Sequence, residues 1–432
     1  PAAGGEALLQ ASHSMASEGE RMLEVDCPEL APGRYRLVFS LVRWPDETVL
    51  SRCVRMLRQW PGAQPDARCW LDRHHRLIVD GSPFFPLGMF SNVPAEKDIK
   101  LIAEAGFNCM MPYPLAGIPL AEQRAYLDMA ERHGVKTLFS LKNFYEGNTY
   151  FPPRSVPEWD TEEKAIRGFV SAHRDHPNVL AWYLMDEPES TEMETSIRKH
   201  HLWAREEDPD HPTWSLFHSH MIPHIGHFRN ASDILSSDPY PIRRDHMNIK
   251  LVMEWARGTR KGALGARTVW MTPQIHNLQV YRKKDTLLKP PTYTEIRNMT
   301  FQCLCEGAKG LILYHYLDLH RDPGATFEQR WHDVSRIGRE LSDLAPLLLS
   351  VEESPEVTVN GADILSLVKT YQGKTRVFLV NLRPERTASA TVKVPGNARN
   401  LTLNSKRLAD TAAVAIALPE LAVSTLEFET AE

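Results

Sequence analysis

The chain has 432 residues, of which 42% are hydrophobic and 24% are charged, and its formal net charge is −5. This length predicts two or three domains, and the composition is that of a globular protein. No run approaches the roughly 18 apolar residues of a membrane-spanning helix, which excludes membrane insertion. The net charge is slightly negative, whereas proteins that bind nucleic acids carry a basic surface. A neutral substrate therefore fits this composition better than a nucleic acid.

The N-terminal part of the chain divides into a tail and a small β domain. Residues 1–20 are small and polar without a lasting period, which predicts a mobile tail. Residues 21–80 alternate apolar and polar positions between Pro-Gly and Pro-Asp turn signals, as antiparallel strands do. The strands expected there are Arg21–Cys27, Tyr35–Val42 and Thr48–Leu57.

The six cysteines leave the redox state open. Cys27, Cys53 and Cys69 fall in the β-rich region, where one disulfide or buried free thiols are equally compatible with the pattern. The chain begins at Pro1 without an initiator Met, which is compatible with an expected signal peptide that is cleaved or lies outside this sequence. We expect a secreted or periplasmic protein.

Residues 81–350 alternate short apolar runs with amphipathic helical stretches, which indicates parallel strands with helical crossovers. A closed (β/α)8 TIM barrel is the predicted fold, because eight such strands with their helices occupy a segment close to the typical barrel size of about 250 residues. An open doubly wound sheet is the alternative, although no Gly-rich phosphate loop follows any strand. The strands are expected to end near Phe90, Tyr113, Leu141, Glu187, Phe217, Asp238, Gln274 and Tyr316. The named helices are Lys97–Ala105, Ala121–His133, Glu162–His173, Thr191–Glu206, Thr294–Glu306 and a last one from Phe327 to about Leu348.

Residues 351–432 show no helical periodicity. They contain short segments in which apolar and polar residues alternate, separated by Asn-Gly, Gln-Gly and Pro-Gly turns. This pattern predicts a C-terminal antiparallel β-sandwich. The expected strands are Glu356–Val359, Ile364–Thr370, Arg376–Leu382, Ala388–Val394, Leu401–Leu403, Val414–Leu418 and Val423–Phe428.

Strand four of the predicted barrel carries the clearest chemical signal. An apolar run from Val179 ends abruptly in Asp186-Glu187-Pro188. Burying unpaired charge is costly, so a buried strand has no packing reason to end in two acids. Active sites of such barrels lie at the carboxyl ends of the strands. The alternative is that the acids begin a solvated loop or cap the next helix.

Two segments carry a resemblance to a known family. The stretch 176–188, HPNVLAWYLMDEP, and the stretch 77–89, LIVDGSPFFPLGM, resemble the large clan of (β/α)8-barrel glycoside hydrolases that includes β-galactosidase-like enzymes. The resemblance implies that Glu187 is the general acid/base. It implies that Asp186 stands where an Asn commonly binds the sugar 2-hydroxyl. It also implies a departure, because Gln274 occupies the strand-seven position of the nucleophilic Glu and cannot form a glycosyl ester.

Asp238 is the predicted second carboxylate, because strand six also ends in an acid followed by an aromatic, Asp238-Pro239-Tyr240. A turn-forming Asp before a proline is the alternative. Strands four and six are not adjacent, so we expect the wide separation of about 6.5–9.5 Å that leaves room for a water and gives inversion. A separation near 5–5.5 Å would instead make Asp238 a nucleophile.

The remaining strand ends supply polar and aromatic side chains suited to a sugar, whose ring needs flat apolar faces and whose hydroxyls need hydrogen-bond partners. The expected substrate-binding residues are Asp186, Tyr113, Lys142, Asn143, His218, Tyr240, Gln274, Tyr314 and His315. The pair His218 and His220 raises a metal hydrolase as a rival, but convergent ligands on other strands are missing. We expect no metal and no cofactor.

The predicted function is cleavage of glycosidic bonds in an oligo- or polysaccharide by carboxylate general acid/base catalysis. The alternative is a carbohydrate-binding pseudoenzyme that has lost the nucleophile, which the glutamine at position 274 keeps open. The expected partner is carbohydrate, with no nucleic acid and no membrane insertion. The sequence leaves the sugar, the anomer and the oligomeric state open.

Overall fold

The computed structural model describes residues 30–59, 67–244 and 248–430. The chain divides into two compact units between Ala67 and Arg68. In the first unit, β1 (Gly33–Arg43) and β2 (Thr48–Gln59) pair as an antiparallel hairpin. The predicted strand Arg21–Cys27 and the predicted tail at residues 1–20 lie outside the described residues.

The boundary expected at residue 80 lies earlier in the structure. The antiparallel strands β3 (Cys69–Leu71), β4 (Leu77–Val79) and β5 (Ser82–Phe84) belong to the second unit. Cys69 and Leu77 are fully buried in the cluster that fills the barrel interior, which explains why this sheet belongs with the barrel. Cys69 is a free thiol whose Sγ donates to the carbonyl of Leu180 at 3.3 Å, so it forms no disulfide. Cys27 and the side chain of Cys53 lie outside the described residues.

Eight parallel strands close into a barrel in chain order, as predicted. The strands are β6 (Leu87–Ser91), β7 (Cys109–Pro112), β8 (Lys136–Ser140), β9 (Val179–Asp186), β10 (Thr213–Phe217), β11 (Ile234–Ser237), β12 (Thr268–Met271) and β13 (Leu311–Leu313). The α-helices are α1 (Glu96–Glu104), α2 (Leu120–Arg132), α3 (Glu162–His173), α4 (Glu194–Glu207), α5 (Leu251–Ala263), α6 (Tyr293–Cys305), α7 (Tyr316–His320) and α8 (Phe327–Leu349). Four 3-10 segments, Leu115–Gly117, Thr191–Met193, Ser219–Asn230 and Leu278–Val280, lie in the connections.

The barrel strands are buried on both faces, which is why they read as continuous apolar runs. Large rings such as Tyr183, Trp214 and Trp270 fill the interior, so the barrel is a packed core. Helix starts follow from local chemistry, since Thr292 and Thr326 each form a capping box at the N-terminus of α6 and α8. In the described ranges, no helix is long and apolar enough to cross a membrane.

The C-terminal strands form two antiparallel sheets, which confirms the predicted sandwich. One sheet has the order β15-β16-β21-β18-β19 and the other the order β14-β17-β20. The strands are β14 (Thr358–Asn360), β15 (Ile364–Tyr371), β16 (Lys374–Asn381), β17 (Ala388–Lys393), β18 (Ala398–Leu403), β19 (Lys406–Arg407), β20 (Ala413–Leu418) and β21 (Val423–Thr430).

The sandwich shares a core with the helical shell of the barrel. The rings of Phe301 on α6 and Phe378 on β16 lie 5.3 Å apart, and Phe378 belongs to the same buried cluster as the barrel helices. Asn298, on α6, is fully buried, and its amide donates to the carbonyls of Asn381 and Leu421 at 2.8 and 2.9 Å. Barrel and sandwich are therefore joined by both apolar packing and buried hydrogen bonds.

Candidate active site

The predicted site residues follow seven different barrel strands, whose carboxyl ends meet at one mouth because the strands are parallel. Glu187 follows β9 directly, and its carboxyl group is exposed at this mouth. Its backbone has a φ of +51°, the left-handed region, which costs a residue other than glycine roughly 1–2 kcal/mol. The amide of Glu187 donates to the carbonyl of Leu216 at 2.9 Å, which holds this conformation. Strained backbone of this kind is typical of functional sites.

Glu187 follows β9 and Asp238 follows β11, and Glu187 is one of the groups that raise the pKa of the Asp238 carboxyl. Asp238 is only 2% exposed, whereas Glu187 faces solvent. Burial, together with the neighbouring Glu187 and repulsion from Asp186, raises the pKa of Asp238 well above its ordinary value. The separation of about 6.5–9.5 Å that we expected between the two acids stays a prediction. In the closed barrel β10 lies between β9 and β11, so the two strands that these acids follow do not pair with each other.

Asp186, the last residue of β9, is held from two sides. Its Oδ2 accepts hydrogen bonds from Lys142 Nζ at 2.6 Å and from the Tyr113 hydroxyl at 3.0 Å. The Lys142 ammonium also lies 4.5 Å from the centre of the Tyr113 ring. Burial and the negative charge of Asp186 raise the pKa of Tyr113, so Tyr113 stays a hydrogen-bond donor. Three predicted substrate-binding residues thus form one connected group.

Aromatic rings line the mouth beside this group. The ring of Tyr314 lies 5.4 Å from Phe90, 5.5 Å from Tyr240 and 6.5 Å from Tyr113. His315 lies 6.1 Å from Tyr113 and is buried. The structure therefore brings the predicted residues Tyr113, Tyr240, Tyr314 and His315 into one aromatic surface, which suits the C–H faces of a sugar ring.

Gln274 does not face the site in the way we expected. Its side chain is fully buried and accepts from the amide of Ile242 at 2.9 Å. Its Nε2 donates to the carbonyls of Ile242 and His276 at 2.8 and 3.0 Å. Because backbone groups occupy both ends of the amide, Gln274 holds the loop after β11 and is not available to a sugar or a water.

Asn143 and His218 form no hydrogen bond with the Asp186 group and do not belong to the aromatic surface around Tyr314. Asn143 is half-buried, and no hydrogen bond of its side chain is found in the described part of the chain. The His218 ring lies 4.7 Å from that of His220, and its buried Nδ1 has no hydrogen-bond partner among the described residues. In the same residues, no group of three His, Cys, Asp or Glu side chains could hold a metal ion.

Sequence reasoning missed Tyr281, Asp318 and His276. The Tyr281 hydroxyl donates to Asp318 Oδ2 at 2.5 Å and lies 3.1 Å from the Tyr314 hydroxyl. Burial lowers the pKa of His276 to about 4, so it is neutral at pH 7, and its ring lies 4.8 Å from Tyr240. Asp318 follows strand eight closely enough to have been included, but no sequence pattern pointed to Tyr281.

Comparison with known proteins supports the fold. No protein-family profile matches the sequence. None of the curated proteins compared with it matches either. Among solved structures, a family 5 glycoside hydrolase from Bacteroides vulgatus has a TM-score of 0.58 at 12% identity, over 84% of this chain and 93% of that one. A further glycoside hydrolase gives 0.57 at 11% identity, over 84% and 97%. An α-amylase from Geobacillus thermoleovorans gives 0.50 at 10% identity, over 78% and 92%. The chain thus has the (β/α)8 fold found in glycoside hydrolases.

Proposed function

We propose that this protein is a glycoside hydrolase in which Glu187 and Asp238 share one proton and Glu187 delivers it to the glycosidic oxygen. The observation that carries the proposal is that two acids, the exposed Glu187 and the buried Asp238, follow β9 and β11 directly at the carboxyl ends of the barrel strands. The shared fold and the resemblance of strand four to the acid/base strand of barrel glycosidases support it.

The proton follows from electrostatics. Burial and the neighbouring Glu187 and Asp186 raise the pKa of Asp238, which favours its protonated form. Asp238 is the more costly of the two acids to ionise, because it is only 2% exposed. Glu187 is the exposed partner, and only it can reach a bound substrate. Asp238 therefore stores the proton, and Glu187 transfers it.

Substrate binding follows from the neighbouring side chains. The rings of Tyr113, Tyr240 and Tyr314 offer flat apolar faces beside the carboxyl pair. The carboxylate of Asp186 and the ammonium of Lys142 offer an acceptor and donors for hydroxyl or amide groups. An aromatic surface with a few fixed polar groups is the usual composition of a sugar site.

The substitution Glu187→Gln tests the proposal. We expect turnover of glycosides with poor leaving groups to fall by about 10²-fold or more, because a positioned proton donor contributes on that scale. Glycosides with activated aryl leaving groups need little protonation and should lose less. Glu189→Gln is the matched control, since Glu189 is exposed on the same loop and should keep full activity. Wild-type turnover in Glu187→Gln would refute the assignment.

A carbohydrate-binding pseudoenzyme is the second candidate, and the engagement of Gln274 by backbone groups favours it. The two functions differ in one measurement. A panel of oligosaccharides is incubated with the wild-type protein, and both binding and released reducing sugar are quantified. Binding without release at any pH between 4 and 8 would support the pseudoenzyme and exclude the hydrolase.

A further inference from the structure

Two neighbouring loops at the mouth of the barrel carry exposed basic side chains. The loop after β11 contributes Arg243, and the loop after β12 contributes Arg282, Lys283 and Lys284. We call these four residues the basic rim. None of the four forms an ion pair with another residue that the structure describes. Four cations at this edge of the mouth are therefore available to a ligand.

The basic rim lies next to the aromatic surface of the candidate active site. Tyr281 directly precedes Arg282, and its hydroxyl lies 3.1 Å from the hydroxyl of Tyr314. The Tyr314 ring lies 6.5 Å from the ring of Tyr113, whose hydroxyl donates to Asp186. A continuous series of side-chain contacts thus connects the basic rim to the acids that end strand four. A glycan that lies on these rings reaches both.

The two basic loops are held in place by hydrogen bonds to backbone groups. The amide of Lys289 donates to the carbonyl of Arg243 at 2.8 Å, which joins one loop to the other. Gln274 binds both the amide and the carbonyl of Ile242, the residue before Arg243. An ionised glutamate at position 274 could not donate to the Ile242 carbonyl. The glutamine that departs from the family pattern therefore fixes the start of the basic loop.

Acidic side chains follow other strands of the barrel. The exposed acids after β8 and β9, which pair with neither β11 nor β12, are Glu146, Glu187, Glu189 and Glu192. The two basic loops themselves contain two acids, Asp245 and Asp285. Asp285 accepts a hydrogen bond from Arg244 at 2.7 Å, and Asp245 lies outside the described residues. The charges at the mouth are therefore divided by sign between two sets of strands.

This division gives the mouth a preference that the net charge of the chain does not show. The net charge of −5 favoured a neutral substrate, but it averages over the whole surface. A group of like charges beside a cleft raises the local concentration of ligands of opposite charge. Guanidinium groups in particular bind carboxylates and similar oxyanions through two parallel hydrogen bonds. The acids after β8 and β9 repel the same anions, so an anionic ligand is oriented toward the basic rim.

We propose, as an extension of the proposed hydrolase function, that the substrate is an acidic glycan whose carboxylate or sulfate groups bind the basic rim. The sugar units that carry these groups lie on the side of β11 and β12, and the glycosidic bond to be cleaved lies at Glu187. The rings of Tyr281 and Tyr314 contact the sugar units between these two points. Neutral glycans lack the charged contacts and bind more weakly.

The first experiment measures binding and does not depend on turnover. Affinity electrophoresis compares the wild-type protein in gels that contain uronate polysaccharides (polygalacturonate, alginate, hyaluronate), a sulfated polysaccharide (carrageenan) or neutral ones (galactan, xylan, mannan). We expect at least one acidic polysaccharide to bind about 10-fold more tightly than every neutral one, and this advantage to shrink as salt is added. The polysaccharide that binds distinguishes carboxylate from sulfate. Equal or tighter binding of a neutral polysaccharide would overturn the inference.

The second experiment locates the binding on the basic rim. The triple variant Arg282→Gln, Lys283→Gln, Lys284→Gln should weaken binding of the acidic polysaccharide by about 10-fold, since each exposed ion pair contributes modestly. The control variant Arg386→Gln, Lys393→Gln, Lys406→Gln removes the same charge from exposed positions on the sandwich and should bind as the wild type does. Equal weakening in both variants would show a general charge effect and overturn the inference. Equally tight binding of polyglutamate or duplex DNA by the wild type would do the same.

The third experiment separates the inference from the hydrolase on which it rests. Reducing sugar released from the acidic and neutral polysaccharides is measured for the wild type and for Glu187→Gln. Release from an acidic polysaccharide that depends on Glu187 supports both proposals. Release from neutral polysaccharides alone would overturn the acidic substrate and leave the hydrolase intact. Tight binding of an acidic polysaccharide without release would keep the basic rim as a glycan-binding site and refute the hydrolase.

Discussion

Asp238 gives the sharpest test of the carboxyl pair, because the same substitution should stabilise the fold and impair the reaction. Asp238 is buried, and burial together with the neighbouring Glu187 raises its pKa. In an unfolded chain the pKa of an Asp side chain is about 3.9. Asp238→Asn keeps the shape of the side chain but cannot ionise, so it removes the pH dependence that this group adds.

The sign follows from linkage. A group with a raised pKa in the folded state contributes its full stability below the unfolded pKa, and that stability is lost as the pH rises through the folded pKa. One group gives at most about 1.4 kcal/mol per pH unit, and thus at most about 4 kcal/mol between pH 4 and pH 7. We expect the advantage of Asp238→Asn over the wild type in unfolding free energy to grow with pH in this interval. Turnover should also fall, because an asparagine at position 238 cannot supply a proton to Glu187.

Asp233, at the other end of β11, is the matched control. Burial opposes its ionisation, but the charges of Arg205, His201 and Arg267 outweigh burial and lower its pKa to about 2. Its stabilisation is complete above pH 4 and is lost only as the pH falls toward 2, so Asp233→Asn should be destabilised by a constant amount between pH 4 and pH 7. Urea titrations at four pH values measure both variants. A flat difference between Asp238→Asn and the wild type would show that Asp238 is ionised in the folded protein, which refutes the shared proton.

Three further substitutions test the site and the packing around it. Lys142→Met removes a charged hydrogen bond to Asp186 that is worth about 1.5–3 kcal/mol, so kcat/KM should fall about 10- to 100-fold. Lys142→Arg should restore part of the activity. Unchanged kinetics in Lys142→Met would contradict a role for this pair. Gly338→Ala places a Cβ 2.4 Å from the carbonyl of Ala105, so thermal unfolding should show a loss of about 1–3 kcal/mol despite the better helix propensity of alanine. Gly117→Ala meets no atom within 4 Å and should lie within about 0.5 kcal/mol of the wild type. Asn298→Ala leaves two buried carbonyls of the sandwich without donors and should cost about 2–4 kcal/mol in urea unfolding; a smaller loss would show that water replaces the amide.

The barrel could be predicted from the sequence because its elements depend on local pattern. The apolar run from Val179 to Met185 is buried at every position and ends where the acids begin. Thr161 caps α3 at the residue where the periodic pattern starts. Helix α5 was missed, because Gly258 and Gly262 interrupt its pattern. Both glycines face Ile222 or Ile225 so closely that a side chain could not fit, a tertiary constraint that local propensity cannot show.

The composition of the site was partly predictable for a related reason. Residues at the carboxyl ends of parallel strands must share one face of the barrel, so Tyr113, Lys142, Asp186 and Tyr314 could be grouped before any contact was known. The hydrogen-bond partners of each of these side chains could not be predicted from the sequence. Gln274 matched a strand-end position in the sequence, yet its side-chain amide forms hydrogen bonds with the backbone of Ile242 and is not free at the mouth of the barrel.

The sequence by itself determined the (β/α)8 barrel, the C-terminal sandwich and the position of Glu187 at the end of strand four. Only the tertiary structure decided that Asp238 is buried, that Lys142 and Tyr113 donate to Asp186, and that the sheet of residues 69–84 lies in the same compact unit as the barrel. The reason is that strand and helix patterns arise from neighbours in the chain. The spacing of carboxyl groups instead depends on how strongly a closed sheet curves between strands that never pair with each other.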